Sequence, residues 1–513
     1  MKKLAAILLL IAMMFSVSAS AQIDVLNVEE PMKLRIALMQ GFIQPDSQVE
    51  RYLEDRYNIE IELVIIPGWA DGQAKITMLM ADESQRPDAI WWWGMAPEYV
   101  KWVEAGLLVD ITDYMNTYTN IRDYYNKMDN KTLYFASHND GRTYRIPGDV
   151  SEPAFQNLWI RKDWLDNLNL EIPTTMEELV EVMRAFTEDD PDGNGINDTY
   201  GLGGDGYDFR SFWPFVQSYG KTHWSRWVLN DDGTVNYGPV MENTKKWLAD
   251  AADVYAKGYV TPNIVTDTDR EEEMAKGGFG VTYGWIAMNN EGAYEGITSF
   301  KAANPDAEWI MIDMVAGENG NPQEDPATSA AWCYVGITDV NPDPERTYAI
   351  FDEMTNMEPY LYRWYGVEGE HYTIDEDGTY VPIISYTSPE NNEQNIGLSL
   401  MTSFVNRKDE ALIANNPLTL ERFAYARDNS RDIAASLVEW KNSAEFTTWL
   451  EHGTDIQDEV DAYFWGIIAG TRSLDEWDDF VNTLNALGLQ DCVAEANELY
   501  AKQGADMEAF FAK

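Results

Sequence analysis

Apolar and polar residues alternate in several short stretches of this chain, and most of the longer stretches between them have helical periodicity. Along the first hundred residues, strand-like and helical stretches follow one another at 33–39, 47–57, 59–66, 74–80 and 89–93. We expect Asp46 to cap the first of these helices. Strands that alternate with helices require crossover connections, so the pattern predicts a mostly parallel sheet. Such sheets bind ligands at the carboxyl ends of their strands, where Trp91, Trp92 and Trp93 fall.

The same pattern begins again after Glu152 and continues to the end of the chain. Strands are predicted at 158–160, 277–285, 309–315 and 331–337, helices at 161–166, 173–186 and 241–257, and a hairpin turn at 230–233. A final helix begins after Ser473 and ends before Gly488. A chain of 513 residues exceeds what one hydrophobic core usually serves, so the restart predicts two α/β lobes.

The first 21 residues have the pattern of a secretory signal peptide. Two lysines precede an apolar run from Leu4 to Val17, and Ala19-Ser-Ala21 forms a small-x-small cleavage site before Gln22. The run is too short for a transmembrane helix. No cysteine lies near the cleavage site, so we expect a soluble exported protein without a lipid anchor.

Acidic residues dominate the charge of the chain. The formal net charge is −50, and removal of residues 1–21 takes away Lys2 and Lys3 and no acid, which leaves −52. This field repels nucleic acid and anionic lipid and favours a largely neutral ligand. An acidic ligand would need a local basic patch, for example around Arg161 or Arg210. The two cysteines, Cys333 and Cys492, are far apart in sequence, and buried free thiols are favoured over a disulfide.

One loop has the spacing of a calcium site of the EF-hand type. Oxygen-bearing side chains occupy loop positions 1, 3, 5 and 9, Gly195 occupies position 6, and position 7 offers only its backbone carbonyl. The predicted ligands are Asp190, Asp192, Asn194, Ile196 (carbonyl) and Asp198. Position 12 is Gly201 where an EF-hand has glutamate, so a weaker site or an added oxygen, such as that of Thr199, is expected. The alternative is an ordinary Asp/Asn/Gly-rich surface turn.

Several motifs together resemble one family. They are Arg161-Lys-Asp-Trp-Leu-Asp-Asn-Leu168, Pro173-Thr-Thr175 with the calcium-type loop, Tyr365-Gly-Val-Glu-Gly-Glu-His-Tyr372, and Gly470-Thr-Arg-Ser-Leu-Asp-Glu-Trp-Asp-Asp-Phe480. In this order they resemble the extracellular solute-binding proteins of ABC transporters, family 1. The likeness is greatest to the large oligosaccharide-binding branch that includes the alginate-binding proteins.

This resemblance implies an α/β, two-lobe periplasmic-binding-protein type II fold, with discontinuous lobes joined by hinge strands. We assign residues 1–21 to the signal peptide, 22–150 with about 307–385 to lobe 1, and 151–306 with about 386–513 to lobe 2. The family further implies a periplasmic monomer that binds an oligosaccharide between its lobes and delivers it to ABC transporter permease subunits. Its calcium would be structural and remote from the sugar.

Sugar rings present flat CH faces and many hydroxyl groups, so a sugar site needs exposed aromatic planes with polar groups around them. The candidates are Trp285, Tyr283, Trp92, Trp364 and, as a basic group, Arg161. The segment that ends at Trp285 resembles the part of the second lobe that supplies a stacking aromatic in this family.

Two other classes of protein stay open as alternatives. A secreted polysaccharide-degrading enzyme needs paired carboxylates, but among 87 acids such pairs are unavoidable. The four histidines lack zinc-site spacing, and the sequence has neither a Gly-x-Ser-x-Gly elbow nor a P-loop, so we do not expect an enzyme. A peptide-binding receptor of the same architecture is the other alternative.

Overall fold

The computed structural model describes residues 26, 28–39, 44–127, 131–148, 156–204, 206, 208–266, 277–285, 300–302, 304–318, 331–376, 380–386, 388–401, 437–441 and 443–512. The predicted signal peptide, 1–21, lies outside these residues. Within them, no helix combines the length and the apolar character needed to cross a membrane.

The strands are short and lie among many helices. In chain order the strands are β1 Met32–Met39, β2 Ile59–Ile66, β3 Ala89–Trp93, β4 Ile146–Pro147, β5 Gln156–Arg161, β6 Tyr200–Leu202, β7 Trp227–Leu229, β8 Val235–Tyr237, β9 Phe279–Trp285, β10 Trp309–Ile312, β11 Cys333–Ile337, β12 Tyr372–Ile374 and β13 Tyr380–Pro382.

The helices in the first half of the chain connect these strands. They are α1 Gln48–Tyr57, α2 Trp69–Ala81, α3 Ala96–Glu104, α4 Thr112–Thr117, α5 Asn120–Lys127, α6 Thr132–Ala136, α7 Lys162–Leu168, α8 Met176–Glu188, α9 Trp213–Tyr219 and α10 Glu242–Ala256. Helices dominate the second half: α11 Pro344–Glu353, α12 Met357–Tyr365, α13 Pro389–Glu393, α14 Thr447–Ile468, α15 Trp477–Ala486 and α16 Leu489–Phe511.

Two larger sheets organise the molecule. The first has the order β2-β1-β3-β11-β4, in which β1 runs parallel to β2 and β3, whereas β11 runs antiparallel to β3 and β4. The second has the order β10-β5-β9-β6, in which β5 runs antiparallel to both of its neighbours and β6 runs parallel to β9. The parallel pairing expected in the first hundred residues is therefore confirmed.

Each sheet has its own hydrophobic core, and each core draws on separated parts of the chain. The first core takes its buried residues from 32–146 and 331–401, and the second takes them from 158–315 and 438–496. Cys333 lies in the first core and Cys492 in the second; both are buried and neither forms a disulfide, as predicted. The molecule is an α/β protein of two discontinuous lobes.

Two stretches lie in a different core from the one that the sequence suggested. Residues 309–312, expected in lobe 1, form β10 and pair with β5 of the second sheet. Residues 396–401, expected in lobe 2, pack into the first core. The carbonyl oxygens of Asn395 and Ile396 accept hydrogen bonds from the first amides of α1, at 3.0 and 2.9 Å, and this attaches the segment to lobe 1.

Local capping follows the sequence signals, with one correction. Ser47 caps α1, because its Oγ accepts the N–H of Glu50 at 3.1 Å. Asp46, the predicted cap, has a left-handed φ of 57° instead. Thr175 forms the capping box of α8 with Glu178, and Gly488, at φ 108°, lies between α15 and α16 at the N-cap position of α16.

Candidate ligand-binding cleft

In each sheet, most strands finish on the same side, and the chain connects that side of the first sheet to that side of the second. We call these two sides the cleft edges. The carboxyl ends of β1, β2 and β3 share one edge with the carboxyl end of β4 and the start of β11. In the second sheet, the carboxyl ends of β6, β9 and β10 share one edge with the start of β5. Gly148 and Gln156 are eight residue steps apart, so these edges are at most about 28 Å apart. The space between them is the candidate cleft.

Two aromatic residues that were not among the candidate sugar contacts lie at the edge of the first sheet, although Trp93 was placed at a strand end by the sequence. Trp93 ends β3 beside Cys333, and Trp332 immediately precedes β11. Both side chains are half-buried, and both contact the buried ring of Trp91, at centroid distances of 5.2 and 5.6 Å. Helix α2 approaches Trp93 closely, since a Cβ at Gly72 would lie 2.4 Å from its ring.

The candidate residues of the second lobe lie near the end of β9. The backbone of Trp285 pairs with Gln156 at the cleft edge, whereas the side chain of Trp285 lies outside the described part of the structure. Tyr283 is 2% exposed, and its ring stacks on Trp213 at 6.1 Å. Tyr283 therefore packs in the core and presents no open face to the cleft in this conformation.

The other two aromatic residues predicted to contact a sugar, Trp92 and Trp364, lie in different surroundings. Trp92 is fully buried between Trp102 and Tyr334, so it has no free ring face. Trp364 on α12 is half-buried and meets Tyr386 edge-on at 5.4 Å. These positions give Trp92 a packing role and leave the ligand contact of Trp364 a prediction.

The two arginines considered for a basic patch are both neutralised by acids. Arg161 ends β5, five residues beyond the cleft edge, or roughly 17 Å along the strand. Its guanidinium group is buried and donates to both carboxylate oxygens of Asp163, at 2.8 and 2.5 Å. Arg210 likewise pairs with Asp208 at 2.7 Å. The structure therefore gives Arg161 no place in the cleft.

One cavity is lined by both lobes. Its volume is about 320 Å³, and its wall includes Tyr134 and Asn139 from lobe 1 and Lys441, Glu445, Gln503 and Phe510 from lobe 2. Such a volume lies at the lower end of the range for small-molecule pockets, roughly 300–1,000 Å³.

Direct contacts hold the two walls of this cavity together. The Tyr134 hydroxyl donates to the carbonyl of Gln503 at 3.1 Å, and the Tyr134 ring meets Phe510 edge-on at 5.7 Å. Asn139 donates to Glu445, and the Lys441 ammonium donates to the carbonyl of His138 at 3.2 Å. The sequence carried no signal for this seam, because it joins residues more than 300 positions apart.

The calcium-type loop lies at the far edge of the second sheet. It leads from the end of α8 into Tyr200, which begins β6 and pairs with Phe279 at the start of β9. The cleft end of β9 is six residues further on, or roughly 20 Å. The loop is therefore remote from the cleft edge.

Within the loop, the side chains accept hydrogen bonds from the backbone and from one another. The Gly195 N–H donates to Asp190 at 3.0 Å, and the amide of Asn194 donates to Asp192 at 2.8 Å and to Asp198 at 3.3 Å. Burial, with the nearby carboxylates of Asp190 and Asp198, raises the pKa of Asp192. The loop thus concentrates negative charge at one place.

Several contacts of the loop residues bear on whether the loop could bind a metal ion. In the described structure the Oδ1 atom of Asp190 is buried and has no hydrogen-bond partner, and no group of three acids, histidines or cysteines has metal-binding geometry. Thr199 donates its hydroxyl to the carbonyl of Phe186 at 2.8 Å. A Cβ at Gly201 would lie 2.5 Å from Met183, which explains why position 12 carries no glutamate.

Known proteins resemble this chain over most of its length. One is the polygalacturonan/rhamnogalacturonan-binding protein YtcQ of Bacillus subtilis (strain 168), which is 27% identical over 415 residues, 77% of this chain and 76% of the relative. Among solved structures, the alginate-binding protein AlgQ2 without calcium ion has a TM-score of 0.70 at 19% identity, over 92% of this chain and 99% of its own.

A third similar protein is FusA, a substrate-binding protein of an ABC transporter from S. pneumoniae. The structure of its EF-hand mutant with fructo-nystose has a TM-score of 0.69 at 19% identity, over 93% of this chain and 100% of its own. At such identities these two structures support the fold alone. The sequence profile of bacterial extracellular solute-binding proteins matches residues 39–358, more than half of the chain. This protein therefore belongs to the bacterial extracellular solute-binding protein family.

Proposed function

We propose that this protein captures an oligosaccharide in the cleft between its lobes and delivers it unchanged to an ABC importer. The observation that carries the proposal is the pair of sheet edges that the chain connects between Gly148 and Gln156, with Trp93 and Trp332 at one edge and Trp285 ending a strand at the other. Aromatic planes at the mouth of such a cleft suit the CH faces of sugar rings. Two proteins that resemble this chain are associated with carbohydrates: YtcQ is named as a polygalacturonan/rhamnogalacturonan-binding protein, and the structure of FusA contains fructo-nystose.

Binding without catalysis is the second part of the proposal. It is supported by the similar proteins, which are binding proteins. It also fits the sequence, in which no histidine, serine or glycine-rich motif forms a catalytic pattern.

We further infer that the protein is exported through residues 1–21, acts as a soluble periplasmic monomer, and meets permease subunits of the importer. The support is the pattern of the first 21 residues and the absence of a cysteine beside the cleavage site.

A screen of oligosaccharides and peptides by thermal shift tests the proposal, because a ligand that binds only the folded state raises the melting temperature. The best sugar is then titrated into the protein and into Trp285→Ala. We expect the substitution to weaken binding by roughly 1–3 kcal/mol, the scale of one buried aromatic face. Intrinsic tryptophan fluorescence should shift on binding in the parent and much less in the variant.

The control is Trp309→Phe, which changes a buried indole at the far edge of the second sheet and should leave the affinity unchanged. Binding of peptides with no response to any sugar would replace the carbohydrate proposal with a peptide receptor. Products that appear during prolonged incubation with the best sugar would make the protein an enzyme.

We also propose that the 190–198 loop holds one structural calcium ion. The donor set fits a hard cation, since it consists of oxygens. The unpartnered Oδ1 of Asp190 is an acceptor that such a cation would satisfy, and the carboxylates of Asp190 and Asp198 lie close to Asp192. Asp190, Asp192, Asn194, Asp198 and the carbonyl of Ile196 would hold the ion. Its charge would neutralise the acids and fix the turn between α8 and β6.

A further inference from the structure

The cavity between the lobes contains a cation, Lys441, that donates its hydrogen bond to a carbonyl, although Asp140, Glu445 and Asp506 also line the cavity. The ammonium group of Lys441 donates to the carbonyl of His138 at 3.2 Å and lies 4.3 Å from the ring centre of Tyr134. No carboxylate in the described part of the chain lies within ion-pair distance of it. In a chain with 37 basic and 87 acidic residues, a half-buried lysine without a carboxylate partner is unexpected on charge alone.

A second cation lies behind Lys441 and also lacks a described acid partner. Arg145 is 4% exposed, and its guanidinium group donates to the carbonyls of Ala136 and Phe135 at 3.1 and 2.8 Å. It lies between the rings of Tyr99 and Tyr334, at 4.0 and 3.8 Å. Burial lowers the pKa of Lys441 to about 8; the charge of Asp506 acts against this shift, as do Asp140 and Glu445 more weakly, whereas repulsion from Arg145 adds to it.

Other charged groups face Lys441 from both lobes. Among them, Glu445 is paired with Lys502 at 2.7 Å, and Asp140 accepts the hydroxyl of Tyr144 at 2.9 Å. Asp506 is exposed, where solvent screens its charge. Burial lowers the pKa of His138, so its ring adds no charge near neutral pH. The ammonium of Lys441 is therefore the donor in this cavity that an anionic ligand would satisfy.

We propose that this cavity is a subsite for an acidic sugar, in which Lys441 binds the carboxylate of a uronate residue of the oligosaccharide; this rests on the proposed function. The half-buried rings of Trp440 and Phe510 in the wall suit a sugar face. Arg145 adds positive potential from behind. Packed side chains connect Lys441 to the cleft edge: it donates to His138, the His138 ring contacts Tyr99, and Arg145 lies between Tyr99 and Tyr334, which is two residues from Trp332. A local site of this kind lets a strongly acidic protein bind an acidic ligand.

Calorimetric titration with trigalacturonate and with its neutral methyl ester tests the subsite. The parent should bind the acid more tightly than the ester. Lys441→Met should weaken binding of the acid by about tenfold or more, the scale of one hydrogen bond to a charged group, and leave the ester unchanged. In the parent, affinity for the acid should fall as the pH rises through about 8, and in Lys441→Met it should not.

Lys502→Arg is the matched control, since Lys502 lines the same cavity and arginine keeps its pair with Glu445; it should leave the preference for the acid unchanged. Lys441→Arg should keep that preference and carry it to higher pH. Equal affinity for acid and ester in the parent, or a preference that survives Lys441→Met, would overturn the subsite. If neither probe binds while another, neutral oligosaccharide does, the acidic subsite is wrong and the proposed function is still supported. If no oligosaccharide binds, both the subsite and the proposed function are wrong.

Discussion

Asp352 is an acid that the fold buries completely. It extends from α11 to the start of α5 and accepts the N–H groups of Ile121 at 2.9 Å and Asn120 at 3.2 Å. Burial raises its pKa from 3.8 to about 6, although the hydrogen bonds from these amides act in the opposite direction. A carboxyl group with a higher pKa in the folded state binds protons more tightly there than in the unfolded chain.

The free energy of unfolding should therefore contain a term that is complete below about pH 4 and is lost as the pH rises through about 6, roughly 3 kcal/mol in all. In Asp352→Asn this term should be absent. Urea unfolding of parent and variant at acidic and neutral pH measures the difference. Asp113→Asn, an exposed position in the first turn of α4, is the control. Parallel pH profiles for the parent and Asp352→Asn would contradict the prediction.

Single residues also show where sequence reasoning stops. Trp92 and Trp93 are neighbours of one type, yet Trp92 is fully buried and Trp93 is half-buried at the cleft edge. Alternation along a strand distinguishes the two faces of a sheet, but it does not tell which face a second helix will cover. The aromatic content predicts that some rings contact sugar. Only the packing of the folded protein shows which rings remain accessible to a ligand.

At the scale of elements, the calcium loop gives the clearest prediction. Chelation should lower the melting temperature of the parent by a few degrees, because an ion at one hundred times its dissociation constant contributes about 2.7 kcal/mol. Asp190→Ala or Asp192→Ala should abolish this sensitivity, since each removes a predicted ligand. Differential scanning calorimetry with calcium and with chelator measures both effects.

Asp189→Asn is the matched control for the loop. Asp189 immediately precedes the loop, but its carboxylate pairs with Arg184 at 3.1 Å. This variant should keep the full response to chelator. Equal melting temperatures of the parent with calcium and with chelator would mean that the loop is only a hydrogen-bonded turn.

The elements themselves were largely predictable, and their assignment to lobes was less so. Alternation and capping signals located most strands and helices, because they are local properties of the chain. The apolar run Trp309–Ile312 predicts a strand but not its partner, and it pairs with β5 instead of extending the first sheet. The segment at 396–401 is held to lobe 1 by backbone hydrogen bonds. The sequence of side chains does not predict such bonds, because every residue carries the same backbone groups.

At the scale of the whole molecule, two cores are joined by three passages of the chain. These passages are 149–155, 319–330 and 402–436, and they lie outside the described residues. Two lobes linked in this way should move relative to each other, and a ligand that touches both should favour the closed arrangement.

Small-angle X-ray scattering of the protein, alone and saturated with its best oligosaccharide, tests this account most directly. A ligand bound in the cleft contacts both lobes only when they close, so the radius of gyration should decrease on saturation. The Trp285→Ala variant should need more sugar to reach the same contraction. An unchanged radius of gyration at saturating oligosaccharide would contradict binding between the lobes.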